Sequence, residues 1–410
     1  MRILLINHYA GSPMHGMEYR PYYLAREWVR LGHQVKIIAS SESHVRSRQP
    51  HLASLDRLDE TIDGIEYTWF ETPRYAGNSI GRVRNMACFI SRLYREGKAL
   101  TQSFNPDIVI ASSTYPMDIW SAHRIARLAK AKLVFEVHDL WPLSPMELGG
   151  MSKWHPFIMV VRAAEAYAYQ NADVVISILP KVREYMESRG MAPHKLHIVP
   201  NGIDPAEWHV DSLDLKGTVR EALSNLKAEG RSIVGYAGSH GVANSLITLI
   251  DAAKLMEDEN VVFVLIGDGP DKRVHQRHAE REGLKNIWFM DPVQKQQIPS
   301  LLEWFDLLYL GSPRQPLYRF GISPNKLMDY MMAGRPVLMA IDAGNDPVEE
   351  AGCGISVEPD DPQAVARGVR RLLALPSEEL TAMGQRGHAY VLKHHSYPVL
   401  AQQFFDSIRF

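Results

Sequence analysis

Short, mainly apolar runs recur along this 410-residue chain, each followed by a stretch long enough for a helix. In the first half they occupy residues 2–7, 34–39, 107–111, 132–137 and 172–178. A run without a polar face suits a strand covered on both sides, the usual condition of a parallel sheet, and parallel neighbours need a crossover between them. Between the first two runs lies a loop over 8–16 rich in Gly, Ser and Pro. Tyr23, Leu24, Trp28 and Leu31 then follow at helical spacing, with Gly32 as the stop. The order strand, loop, helix, strand puts that loop at the carboxyl end of the first strand. Continued alternation predicts an α/β chain with a doubly wound parallel sheet.

At 199–205 the sequence Val-Pro-Asn-Gly-Ile-Asp-Pro is turn chemistry, and after it the pattern restarts. Further strands are expected at 233–237, 261–266, 287–290 and 307–310, with a helix over 243–256. The economical reading is two Rossmann-like domains, 1–204 and 205–388. An amphipathic tail over 389–410 packs either on the second domain or back on the first. A hydrophobic share of 46% and a charged share of 22% support two ordinary cores. A net charge of −2 argues against nucleic acid as a partner. Two distant cysteines, Cys88 and Cys353, make no disulfide framework, which suits a reducing cytoplasm. The N-terminus does not read as a signal peptide, and no run approaches the roughly 20 apolar residues of a membrane span.

Open parallel sheets bind ligands beyond the carboxyl ends of their strands. The most informative stretch of that kind is 321–337. Ser323 is a favoured N-cap, Pro324 suits the first helical position and Gly334 supplies the stop. A helix start is an anion site, and Lys326 adds a full charge in its first turn. Asn325, Lys326 and Asp329 share a helix face, so Asp329 is placed to accept from ribose hydroxyls one turn deeper than a phosphate. A capping residue beside a solvated Lys–Asp pair would give the same pattern. A second glycine-rich loop, Gly238-Ser239-His240-Gly241, lets backbone approach a ligand. A third, Gly267-Asp268-Gly269-Pro270, ends another strand of the same domain.

In the first domain, Glu136, His138, Asp139 and Trp141 sit where an apolar run ends. Glu136 and His138 fall on one face by the period of two. A His-Asp pair at a strand terminus can bond a substrate, the histidine being oriented by its neighbour. The first loop adds Gly16, Glu18, Tyr19 and Arg20, which could meet an acceptor. Each of these alone is more often a capping or packing residue.

Taken together, GMEYRP (16–21), LGHQV (31–35), VHDLWP (137–142), VPNGID (199–204), IGDGP (266–270) and SPNKLMDYMMAGRPV (323–337) resemble the retaining, nucleotide-sugar-dependent glycosyltransferases of family 4. The resemblance covers essentially the whole chain, and its branch is similar to bacterial O-antigen, capsule and exopolysaccharide transferases such as N-acetylfucosamine transferases. It implies the GT-B fold, two Rossmann-like parallel-sheet domains facing across a cleft, with the donor on the second domain and the acceptor on the first. The implied donor site is Gly238, Ser239, His240, Gly241, Asp268, Gly269, Ser323, Pro324, Asn325, Lys326, Leu327 and Asp329. His138, Asp139 and Lys326 are the implied catalytic residues, and Gly16, Glu18, Tyr19, Arg20 and Trp141 the acceptor contacts. No metal and no cofactor beyond the nucleotide sugar is implied. The expected donor is a UDP-sugar, with N-acetylated or deoxy sugars among the candidates, and the acceptor a glycan or lipid-linked sugar. Two departures stand out: Gly321 occupies the place of the family's first motif glutamate, and Ser239, His240 and Asn244 replace its usual Arg and Lys.

Residues 74–98 interleave Arg82, Arg84, Arg92, Arg95 and Lys98 with Met86, Phe89, Ile90, Leu93 and Tyr94. Such a segment either lies on the inner membrane face or packs on its own domain with the charges in water. The alternatives to sugar transfer are a sugar-nucleotide epimerase or hydrolase, a non-catalytic sugar-nucleotide-binding subunit, and a nicotinamide oxidoreductase. The last lacks the expected glycine fingerprint after the first strand.

Overall fold

The computed structural model describes residues 1–53, 55–77, 79–209, 213–215 and 217–409. The chain forms two compact units. Unit 1 comprises Met1–Asn201 with Tyr397–Phe410, and unit 2 comprises Gly202–Ser396. The division thus falls after Asn201 where the sequence reading put it after 204, and the chain rejoins unit 1 at Tyr397, not at 389. Among the described residues no helix is long and apolar enough to cross a membrane.

Unit 1 is built on an eight-stranded sheet: β1 Arg2–Ile6, β2 Gln34–Ser40, β3 Arg57–Ile62, β4 Ile65–Phe70, β5 Ile108–Ala111, β6 Lys132–Val137, β7 Val174–Ser177 and β8 Leu196–Ile198. Their spatial order is β3-β4-β2-β1-β5-β6-β7-β8, parallel throughout except for β3, which pairs antiparallel with β4. The β3–β4 hairpin was not expected. Its turn is Asp63-Gly64, with φ of +50° and +80°, the left-handed pair a tight two-residue hairpin requires. The strand order reverses between β1 and β5, so the loops after them open the crevice where such sheets take ligands.

Alternation along the strands feeds two helix layers. Ile3, Leu5, Val35, Ile37, Ile108 and Ile110 face a cluster completed by the helix Arg20–Arg30 and the terminal helix Tyr397–Arg409. Trp28 Nε1 donates to the Ala401 carbonyl at 3.1 Å, and its ring meets Phe404 edge-on at 5.0 Å. The helix Ile80–Phe104 packs on the helix Ile119–Ala129. This favours the second of the two readings of 74–98, a helix packed on its own domain with its charges in water; position 78 lies outside the described residues. Met86, Phe89 and Leu93 are spent on the core at 2%, 0% and 0% exposure, while Arg92 is bound to Asp56 and Glu71.

Unit 2 carries a wholly parallel six-stranded sheet of β9 Ser232–Ala237, β10 Val261–Ile266, β11 Ile287–Met290, β12 Leu307–Gly311, β13 Val337–Ala340 and β14 Gly354–Ser356. The order is β11-β10-β9-β12-β13-β14, and it reverses between β9 and β12. Both faces are apolar. Ile233, Val262 and Leu308 point into one cluster with Phe305 and Leu327, and Val234, Phe263 and Tyr309 into the other with Leu249 and Val369. Two sealed faces explain why these strands read as unbroken hydrophobic runs.

Because Phe404 is fully buried against Trp28, Phe404→Ala is expected to destabilise unit 1 by about 3–5 kcal/mol. Denaturation followed by tryptophan fluorescence checks this. A midpoint equal to that of the parent would show that the terminal helix does not hold the unit together.

Candidate functional site

In unit 2 the loop after β9 and the helix Asn325–Met332 meet at Lys326. The ammonium donates to Tyr236 Oη at 2.7 Å and to Asn244 Oδ1 at 2.8 Å, and lies 4.1 Å from the Tyr236 ring centroid. Tyr236 Oη and the Asn244 amide both donate in turn to the Ser239 carbonyl. The lysine is therefore held by neutral groups rather than by the solvated Lys–Asp pair that the spacing allowed. Burial drives its pKa down to about 7. Gly238 admits this arrangement: a side chain there would put Cβ 2.8 Å from Lys326 Cε, and its φ of +153° is itself a glycine conformation. Burial likewise pushes the Asp329 carboxyl up to about 7.

Pro324, not Ser323, occupies the N-cap, and the helix begins at Asn325. The amides of Asn325 and Lys326 open the first turn, where no preceding helical carbonyl can take them. Leu327 departs from its expected role. Its side chain is fully buried in the core and its amide donates to the Pro324 carbonyl at 3.1 Å, which leaves nothing for a ligand. The His240 ring is also sealed, at 0% exposure beside His275 and Phe289, and burial lowers its pKa to about 4. What His240 gives the loop is its backbone, which bonds Asp268 and Asp271 at 2.9 Å each. A Cβ at Gly269 would lie 2.4 Å from the His240 carbonyl oxygen, so Gly269 serves the close approach of the two loops. That second loop borders a pocket of about 640 Å³ with Asp268, Lys272, Phe289 and Asp291 in its wall. Gly321 has φ of +92°, a conformation suited to glycine at the place where the family carries a carboxylate.

In unit 1 the residues beyond β1, β5 and β6 form a buried polar network. Glu136, at 0% exposure, accepts from Arg20 Nε at 2.9 Å and from Ser112 Oγ at 2.6 Å. Its Oε2 lies 3.4 Å from His138 Nε2, which is 2.9 Å from Ser112 Oγ. Burial opposes a charge on Glu136, but Arg20 and then His138 outweigh it and hold the carboxyl well below the usual carboxylate range. The Asp139 carboxylate makes no hydrogen bond to His138. It is exposed, and the residue that orients His138 is Glu136, two positions back on the same strand face.

The expected acceptor contacts separate. Arg20 is corrected: only 2% exposed, it also donates to the Pro200 carbonyl at 2.5 Å and to that of Val199 at 2.8 Å, so the guanidinium is committed inside the unit. Gly16 is buried in the turn, at φ of +88°. Glu18, Tyr19 and Trp141 stay half-buried, the last with its ring near Tyr115 and Phe157. The sequence reading missed Ser112 and Tyr236. Both lie at strand ends flanking the points where strand order reverses, which was a usable signal. Among the described residues no three His, Cys, Asp or Glu side chains converge as a metal site.

Comparison with known proteins bears on the family and the fold. Residues 14–207 match the family described as Glycosyltransferase Family 4, and residues 231–375 match that of Glycosyl transferases group 1. WcaI of Escherichia coli (strain K12), named as a colanic acid biosynthesis glycosyl transferase, is 25% identical over 93% of this chain and 94% of its own. WbjE of Pseudomonas aeruginosa, named as a glycosyltransferase, is 21% identical over 84% of each. The crystal structure of Anabaena Alr3699/HepE in complex with UDP-glucose superimposes with a TM-score of 0.66, at 15% identity and 99% coverage of both chains. Two parallel-sheet α/β units, their polar residues at the strand ends and these matches lead to one conclusion: the chain is a family-4-like glycosyltransferase with the GT-B fold.

Proposed function

We propose that this glycosyltransferase moves a sugar from a UDP-sugar held by unit 2 to a glycan or lipid-linked acceptor bound by unit 1, retaining anomeric configuration, in bacterial surface-polysaccharide biosynthesis. The observation that carries the reading is Lys326, whose ammonium is set by Tyr236 and Asn244 against Gly238 at an open helix start. A diphosphate there meets a positive charge, free amides and a helix dipole together. Asp329, one turn on, takes the ribose hydroxyls, and the neighbouring pocket has the volume of a small-ligand site. UDP-glucose in the Anabaena structure and the colanic acid name of the Escherichia coli relative point the same way.

In the reaction the bond from the anomeric carbon to the diphosphate breaks, and the acceptor oxygen bonds that carbon from the same face. The acceptor proton passes to the departing phosphate. Lys326 and the helix end balance the charge released, so no metal is required. We assign His138 to the donor sugar, as the family resemblance implies, and Glu18, Tyr19 and Trp141 to the acceptor. Of the membrane reading we retain only electrostatics: Arg84, Arg95 and Lys98 stay exposed on one face of the helix Ile80–Phe104.

UDP is expected to raise the Tm of the protein, as any ligand of the native state does. Lys326→Ala should weaken UDP binding by roughly 10- to 100-fold, the worth of one charge-assisted hydrogen bond. Equal affinity in titration calorimetry would remove the grip from Lys326. A chelator should leave initial transfer rates unaltered; activity lost to EDTA and restored by a divalent cation would overturn the metal-independent reading. Reversing Arg84, Arg95 and Lys98 to Glu should release the protein from anionic liposomes in sedimentation, and undiminished pelleting would exclude that face.

A further inference from the structure

His138 closes β6, and the hydrogen-bond inventory around it fixes which ring nitrogen faces inward as a donor. Arg20 keeps Glu136 ionised, so the carboxylate only accepts, and the single Ser112 proton must go to it across 2.6 Å. The Asn7 amide, itself only a donor through Nδ2, points at Ser112 Oγ from 3.3 Å. One lone pair of that hydroxyl then remains, and it faces His138 Nε2 at 2.9 Å. Nε2 therefore carries hydrogen in every protonation state of the ring. Nδ1 becomes the nitrogen that gains and loses a proton, and among the described residues no group bonds it.

We propose that Glu136 is a positioning residue of the transfer reaction: acting through Ser112, its buried carboxylate locks the His138 ring with Nε2–H inward and offers Nδ1–H as a cationic hydrogen-bond donor to an oxygen of the sugar nucleotide. This rests on the reading of His138 as a group beside the donor. A mere counter-ion for Arg20 would need neither the serine between them nor the histidine on the same strand face. Here Glu136 divides its two oxygens, one for Arg20 and one for the Ser112–His138 pair.

The charges around the ring come from three stretches of chain. Burial disfavours the imidazolium, and Arg20 adds to that, but Glu136 on β6 and Glu18 ahead of the first helix outweigh both and hold His138 above its ordinary 6.5. Asp118, in the turn after β5, and Asp139, beside the ring in sequence, also face it. Because the folded value is raised, the stabilisation is complete below about pH 6.5 and fades as the pH rises through the folded value.

The test uses the full chain with 15N-labelled histidine, the His138 signal being identified by its loss in His138→Gln. In the parent protein Nε2 should stay protonated throughout while Nδ1 titrates above 6.5. Glu136→Gln should lower that midpoint by about one pH unit or more, a tenfold loss of imidazolium at fixed pH. Ser112→Ala leaves the Arg20–Glu136 pair intact and should release the ring into a mixture of tautomers. An unmoved midpoint in Glu136→Gln overturns the proposal. If that variant does not fold, an unchanged tautomer in Ser112→Ala overturns it instead. Turnover of UDP-glucose and of other UDP-sugars by His138→Gln separates the two layers of the argument. Full activity would dismiss His138 from the reaction, whereas lost activity with unmoved titrations would dismiss only the role of Glu136.

Discussion

A carboxylate sealed from water has to be neutralised where it stands, and in unit 1 that requirement ties three distant stretches of chain together. Glu136 lies on β6, Arg20 opens the helix after the first loop, and the guanidinium reaches on to the carbonyls of Val199 and Pro200. Removing one member would strand a buried charge, at a cost of about 3–5 kcal/mol. The pair is thus poorly explained as a device for stability alone, since apolar packing of similar volume does as well. It earns its place by fixing geometry: the end of β6, the start of the first helix and the last residues before the chain leaves the unit are set by one guanidinium.

Unit 2 handles its buried charge in the opposite way. Lys326 is surrounded by a phenol, an amide and an aromatic face, none of which carries a compensating charge. Burial lowers its pKa, Asp329 opposing that only in part, and an anion brought alongside would restore the proton. A balanced charge orients, and an unbalanced one attracts.

Much of this was legible in the sequence because parallel strands sealed on both faces leave mainly apolar runs; β6 and β10 have the ends those runs predict. The β3 strand escaped, since Arg57–Ile62 is an edge strand with polar residues on both sides and little hydrophobic pattern, although Asp63-Gly64 marks its turn. At the site, Lys326 and His138 could be chosen from local context. Their partners could not. Tyr236 lies on β9, on the far side of the reversal in strand order, and Ser112 follows β5, so only the three-dimensional sheet brings them close. Local context also misled for Leu327 and His240, where motif position pointed to a ligand and burial assigned the side chains to the core.

The terminal helix Tyr397–Arg409 belongs to unit 1, whereas the whole of unit 2 precedes it in the chain. During synthesis from the N-terminus, unit 2 has every residue it needs before unit 1 does. Trp28 and its neighbours wait with an uncovered apolar face until Ala401, Phe404 and Phe405 arrive. The half made first is therefore finished last, and in that interval its exposed face is where chaperones or other growing chains would find purchase.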